Sequence, residues 1–130
     1  MSVQVTTFAG SGVSGYADGA AFVAMFYGAS GQASDSVGNV FVADQYNNRV
    51  RRIDWVSRTV STVVGSGAAT SFDGVGVAAT LNGPLYLAMI NGSLLVAHGG
   101  GVRLIGMIHS LICTDNGLVI INVVVSFVFF

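Results

Sequence analysis

Val60-Ser61-Thr62-Val63-Val64-Gly65-Ser66-Gly67 echoes Val5-Thr6-Thr7-Phe8-Ala9-Gly10-Ser11-Gly12 at an offset of 55 residues. The same offset carries Asp18-Gly19 onto Asp73-Gly74, and Phe26 and Gly28 onto Leu81 and Gly83. Self-similarity at a period of this size is the mark of a repeat architecture, in which each unit buries its apolar face only against a neighbour. The 130 residues hold about two units, whereas a stable array usually needs ~3 or more. The first functional question is therefore whether the chain is a whole protein or part of a larger array.

Working outward, the segments between the echoes read as short strands bounded by Gly, Asn and Asp. In the first unit Gly28 to Ser34 is a weak strand of small residues. Val40-Phe41-Val42-Ala43 is a continuous apolar run, the pattern of a strand buried on both faces. Arg49-Val50-Arg51-Arg52-Ile53 and Thr59 to Val64 follow, separated by turns at Gln45-Tyr46-Asn47-Asn48 and Asp54 to Arg58. Four strands on a meander make one sheet, or one propeller blade. The second unit aligns with the first if its turns are shortened. Leu94-Leu95-Val96-Ala97 replaces Val40 to Ala43, Gly99-Gly100-Gly101 replaces the longer Asn turn, Val102-Arg103-Leu104-Ile105 replaces Val50 to Ile53, and Ile108 to Ile112 stands as the fourth strand. Deletions that fall only in turns fit a real structural repeat. Val3 to Gly10 reads as an orphan outer strand, either closing a ring or cut from its own blade. Ala20 to Phe26 is read as an apolar loop plugging against strands rather than a helix.

Composition supports strands and narrows function. There are 18 Gly and one Pro. All five cations are Arg and all six anions are Asp, so the Lys and Glu that favour exposed helix are absent. A formal charge of −1 argues against a general attraction to nucleic acid or anionic membrane. Cys113 is the single cysteine, which excludes an intrachain disulfide and a cysteine-rich zinc site. The N-terminus lacks the basic and apolar regions of a signal peptide.

Gly38-Asn39-Val40-Phe41-Val42-Ala43-Asp44, Asn47-Asn48-Arg49-Val50-Arg51-Arg52-Ile53-Asp54 and the following Val60 to Gly67 with Asp73-Gly74 resemble an NHL repeat, named for its Asn-His-Leu signature. The second unit is degenerate: His98 stands at the position of Asp44, and the Asn-Asn-Arg element has become Gly99-Gly100-Gly101. The resemblance covers roughly Val3 to Cys113. It implies an all-β, β-propeller-like fold, typically of six blades, here two adjacent four-stranded antiparallel blades plus the N-terminal orphan strand. Residues 3–10 are then the orphan strand, 28–65 blade one and 83–113 degenerate blade two, together a partial propeller over 1–113. Family members serve mostly as binding platforms for protein or RNA and a minority are enzymes, but no family catalytic motif maps onto this chain.

Propeller enzymes commonly place their reacting groups on the innermost strands, here Gly28 to Ser34 and Pro84 to Ile90, and neither holds a His, Asp or Glu. No catalytic residue, cofactor or metal is expected, and His98 and His109 have no ligand spacing. Asp18, Gly19, Asp73 and Gly74, with Asn47 and Asn48, read as recurring structural turns held by local Asp hydrogen bonds and positive-φ residues. The glycine loops Gly10 to Gly12 and Gly65 to Gly67 read as flexible inter-blade turns rather than phosphate cradles. Arg49, Arg51, Arg52 and Arg58 form the one basic cluster. Arg49, Arg51 and Arg52, flanked by the aromatics Tyr46 and Trp55, are the candidate ligand surface, with single-stranded RNA as one class of partner; Asp44 and Asp54 offset that charge, and local pairing is the competing reading.

After residue 113 the chain turns strongly apolar. Gly117 to Phe130 is uncharged, rich in β-branched residues and, at 14 residues, shorter than the ~20 a membrane helix needs. Non-native coding sequence, the start of another blade, a cut-off membrane anchor and a hydrophobic edge filler remain competing readings of 114–130. The function expected is a non-catalytic interaction module that binds protein, further blades or another ligand, with self-association through exposed sheet faces and edges. The alternatives are a fragment of a propeller hydrolase or lyase with its reacting groups in other blades, and RNA binding through Arg49 to Arg52. No compartment follows from the sequence.

Overall fold

The computed structural model describes the backbone of residues 1–114 and 117–128 and the side chains of residues 1–106. Its strands are β1 (Gly19–Ala20), β2 (Ala29–Ser34), β3 (Val40–Asp44), β4 (Arg49–Ile53), β5 (Thr59–Val64), β6 (Tyr86–Ile90), β7 (Ser93–His98), β8 (Gly101–Thr114) and β9 (Gly117–Val128). They form two antiparallel sheets, of order β1-β5-β4-β3-β2 and β6-β7-β8-β9. The fold is all-β: two adjacent meander sheets in a partial propeller-like arrangement.

Period-2 geometry explains why the middle strands are apolar on both sides. In β3, Phe41 faces sheet two while Val40 and Val42 face away from it; in β4, Val50 and Ile53 divide in the same way. The core between the sheets joins Phe41, Val50 and Val64 of sheet one to Ala79, Leu81, Leu94, Val96 and Ile105 of the second unit. Full burial of each branched aliphatic side chain there contributes about 1.5–3 kcal/mol. A smaller cluster, Ala24, Val42, Ile53 and Val60 with Phe8, Ala9, Phe26 and Val40, covers the opposite side of sheet one.

The inner strands of the sheets meet closely at Gly31. Its N–H donates to the Leu85 carbonyl at 2.6 Å, and the Ser30 hydroxyl reaches the same oxygen at 3.0 Å. A Cβ added at Gly31 would lie 2.4 Å from Leu85 O and 2.6 Å from Tyr86 Cα. The absence of a side chain there sets how near the two inner strands come.

Three details differ from the sequence reading. Val3 to Gly10 enters no sheet. The fifth place in sheet one belongs to β1, which pairs Gly19 with Val60 and Ala20 with Thr59. With β1 on β5 and β2 against sheet two, the expected orphan strand has no free ladder to join. Second, Ile108 to Ile112 is not a separate fourth strand but the continuation of β8. Sheet one reverses through Asp54 to Arg58, a turn closed by the Arg58 N–H on the Asp54 carbonyl at 3.1 Å; only Gly106-Met107 stands at the matching place in the second unit, so β8 runs straight on. Third, the fourth strand of sheet two is β9, with Thr114 opposite Gly117 and Arg103 opposite Val128. Much of the apolar tail is therefore sheet. The turn expected at Asp115-Asn116 lies outside the described residues, as do the side chains of His109 and Cys113.

Gly31→Ala is expected to cost about 1–3 kcal/mol, because backbone rather than a movable side chain meets the new Cβ. Gly99→Ala, with no atom within 4 Å of the added carbon, is expected to stay within about 0.5 kcal/mol of wild type. Urea unfolding of the two variants measures the difference.

Candidate functional site

The residues expected to form a basic surface instead build the interior of the first unit. Arg51 is fully buried. A guanidinium has five N–H donors, and all five are used. Nε donates to Asp18 Oδ1 at 3.1 Å. Nη1 donates to the Met25 carbonyl at 2.9 Å and to Asp44 Oδ2 at 2.7 Å. Nη2 donates to the Ala17 carbonyl at 2.6 Å and to Asp18 Oδ1 at 2.7 Å. Asp44 is also fully buried; its other oxygen accepts the Tyr27 N–H at 2.7 Å, and Asn47 Nδ2 donates to Oδ2 at 2.8 Å. A buried charge with every hydrogen bond made is stable where a partly paired one is not.

The clamp recurs in the second unit. Arg103 is buried and donates to the carbonyls of Thr80 and Phe72 and, at 2.7 Å, to Asp73 Oδ1. These acceptors lie 55 residues beyond Met25, Ala17 and Asp18. The backbone bonds around them repeat at the same offset. Gly10 N–H to Ala21 O matches Gly65 N–H to Gly76 O, and Ser11 N–H to Ala24 O matches Ser66 N–H to Ala79 O. Asp18 and Asp73 thus recur because each ties its inter-unit segment to a buried arginine two strands away. Local turn bonding, the reason expected from sequence, is not the main one. In each glycine loop the first two amides, those of Gly10 and Ser11 and of Gly65 and Ser66, are occupied by these bonds.

The other basic residues are engaged as well. Arg49 lies 3.8 Å over the Tyr16 ring and donates to the Asn47 and Ser66 carbonyls. Arg52 pairs with Asp54 at 2.8 Å. Arg58 sits 4.4 Å from the Phe8 ring centroid and 4.5 Å from that of Trp55. Arg51 therefore drops out of the expected ligand surface, because burial seals it from any partner. Tyr46 and Trp55 remain exposed, but Tyr46 packs against Tyr27 at 4.9 Å and Trp55 against Phe8 at 5.8 Å. Asn48, at φ 54°, is more than a turn residue: it donates to the Gly67 carbonyl at 3.1 Å and accepts the Gly83 N–H at 2.9 Å. Asn48 and Arg49 latch unit one to the segment that begins unit two.

On the side of sheet one away from sheet two, Phe8, Ala9, Phe26 and Val40 are only partly buried over the cluster of Ala24, Val42, Ile53 and Val60. A groove of about 260 Å³ there is lined by Phe8, Phe26, Val40, Val42 and Ile53 among others, and Trp55 stands at its rim, 50 % exposed. Phe41 is covered by sheet two, whereas Phe8 and Phe26, outside the named strands, are partly buried against the opposite side of sheet one.

Among the described residues three groups titrate away from their usual values. Burial pulls the Asp35 carboxyl upward, but the Asn39 side chain and the N–H groups of Asn39, Val37 and Gly38 outweigh it and hold the group low. Ser57 N–H and hydroxyl, Val56 N–H and the Arg52 charge hold Asp54 low. Burial, then the Arg103 charge, pushes His98 down. Among the described residues no three His, Cys, Asp or Glu side chains gather to hold a metal, and no helix is long and apolar enough to cross a membrane.

No protein-family model matches the chain, and no curated protein matches it. Among solved structures it is similar to a structural-genomics protein of unknown function from Bacteroides thetaiotaomicron VPI-5482. The TM-score is 0.71 and the identity 28 %, over 75 % of this chain and 26 % of that one. The chain thus spans about a quarter of the length of that protein.

Asp44→Ala leaves the buried Arg51 guanidinium without its buried carboxylate and is expected to cost about 3–5 kcal/mol. Asp73→Ala is expected to cost less, because the Asp73 side chain is 55 % exposed and water reaches its place; denaturant midpoints compare the two. Acid is expected to destabilise the fold through Asp35 and Asp54. Both carboxyls are low in the folded state, so the unfolded chain binds more protons as pH falls. Their contribution is full above the unfolded carboxylate value of about 3.9 and is lost as pH drops through the lower folded values. The double variant Asp35→Asn/Asp54→Asn should show a flatter acid limb in thermal midpoint against pH.

Proposed function

We propose that the chain is a sector of an NHL-type β-propeller and acts as a non-catalytic binding scaffold, taking an apolar sheet of protein, a further blade, on the side of sheet one that faces away from sheet two. The observation that carries this reading is a positional equivalence. Ala24, Phe26, Val40, Val42 and Ile53 lie on the side of sheet one away from sheet two. Their repeat mates, Ala79, Leu81, Leu94, Val96 and Ile105, are the residues with which unit two packs against Phe41, Val50 and Val64 of sheet one. The same residue set thus recurs where no second sheet packs on it: Ala24, Val42 and Ile53 are buried under the chain's own residues, while Phe8, Phe26 and Val40 stay partly exposed around a groove. A groove with an apolar lining of this kind fits an apolar partner surface.

The opposite end of the pair is less suited to the same contact. Tyr86, 70 % exposed, stands at the repeat position of Gly31 and would block the close approach of another inner strand. Gly99 to Gly101 replace the Asn-Asn-Arg residues that latch the next unit. Docking is thus one-sided, and in the isolated chain two copies meet face to face through sheet one rather than adding head to tail. RNA binding has weaker support, since Arg49, Arg51, Arg52 and Arg58 all have partners within the fold.

In sedimentation velocity the wild-type chain is expected to associate as concentration rises. Val40→Asp, which puts a charge on the face without touching the Arg51 bonds, should return it to monomer with unchanged far-UV circular dichroism. Equal association of the variant, or a wild type that stays monomeric throughout, would remove the support for this reading.

A further inference from the structure

Unit two departs from unit one beside its buried arginine, and the departure leaves donors without acceptors. In sheet one Val42 pairs with Arg51, and Asp44 lies two residues along the same face of β3, where its carboxylate meets Nη1. In sheet two Val96 pairs with Arg103, and His98 holds the place of Asp44. The three contacts of Arg103 to Thr80, Phe72 and Asp73 match those of Arg51, but Nη1, whose counterpart in Arg51 also donates to Asp44, has the Thr80 carbonyl alone. Arg103 Nε, whose counterpart shares the Asp18 oxygen, and His98 Nδ1 are buried without a hydrogen-bond partner. An arginine that is 2 % exposed with idle N–H groups is costly to leave so, and the group absent beside Nη1 is a carboxylate.

The cover over this place is also missing. In unit one the carboxylate is closed in by Asn47, whose side chain donates to both Asp44 and the Gly15 carbonyl, and by the packed rings of Tyr27 and Tyr46. In unit two the turn is Gly99-Gly100-Gly101. A Cβ built on Gly99 or Gly101 meets nothing within 4 Å, and one on Gly100 meets only His98 Cε1, at 3.7 Å. No side chain of the turn closes this side of the arginine, although Arg103 itself stays buried.

We propose that Arg103 and His98 form a carboxylate-binding site, entered over the triple-glycine turn, in which a carboxylate from outside the chain takes the place that Asp44 fills in unit one. One oxygen accepts from the Arg103 guanidinium and the carboxylate also accepts from the imidazole, whose N–H is at Nδ1 in the bound tautomer. Charge-assisted bonds of this kind are among the stronger ones. The chemistry is that of a small monocarboxylate, carried either by a free anion or by an Asp or Glu side chain. It is independent of docking on sheet one.

The test is the thermal midpoint of the full chain at neutral pH and constant ionic strength, titrated with sodium formate, with N-acetyl-aspartate amide, or with sodium chloride as control. A saturable rise in midpoint with formate alone assigns the site to a free anion. A rise with both carboxylates extends it to side chains. No carboxylate effect beyond chloride overturns the proposal. His98→Asp supplies the carboxylate from within; it should raise the midpoint in carboxylate-free buffer and abolish the formate response. His98→Ala keeps Arg103 and the open turn and should retain at least part of the response. A His98→Asp protein that still responds to formate as wild type does overturns the site, and because that substitution restores the residue type of unit one, loss of folding is not expected to obscure the result.

Discussion

The structure depends on a positive charge kept away from water. Arg51 has no exposed surface, so each of its N–H groups needs an acceptor inside the protein. Those acceptors come from places far apart in the chain: Ala17, Asp18 and Met25 from the segment before the sheet, and Asp44 from the neighbouring strand. Satisfying one side chain therefore fixes the 17–25 segment against the strands. That segment carries Ala24 and Phe26 onto the side of sheet one that faces away from sheet two. In unit two Arg103 does the same for 72–80, and the residues so placed, Ala79 and Leu81, lie in the core between the sheets. Hydrophobic burial supplies the driving force, while the arginines decide which apolar residues arrive where.

The two units share this scaffold and differ at its margins. Unit one keeps Asp44, Asn47, Asn48 and Arg49, whose bonds close the clamp and latch the unit that follows. Unit two has His98 and three glycines instead. The bonds from Arg103 to Asp73, Phe72 and Thr80 remain, while Arg103 Nε is left without a partner. The residues that in unit one bond to the following segment have no counterpart side chains in the glycine turn of unit two.

Much of this was legible in the sequence. The strands of unit one fall where the apolar runs and Gly/Asn/Asp turns place them, because side-chain alternation and turn chemistry are local properties. The run Val40 to Ala43 announced burial on both faces, and β3 has it. The continuity of β8 was missed because two fourth-strand patterns, Ile108 to Ile112 and the tail after Gly117, compete for one ladder, and pairing partners are not written in either segment. The orphan strand was overread for a related reason: Val3 to Ala9 has strand character but no ladder beside it. The site was the least legible part. Arg49, Arg51 and Arg52 are adjacent charges in the sequence, and strand alternation alone does not say that one of them enters the protein while the others stay at its margin.

By itself the sequence determined the period, the strand type and the recurrence of Asp18 with Asp73, since a repeated residue reports a repeated need. Only the tertiary structure decided what that need was. Each aspartate answers a guanidinium from a strand 30 or more residues away, and a bond over that separation has no signature in the local pattern of either partner. The same holds for the apolar faces: the run Val40 to Ala43 puts apolar side chains on both sides of sheet one, and only the tertiary structure sets the second unit against one side and Phe8, Ala9, Ala24 and Phe26 against the other.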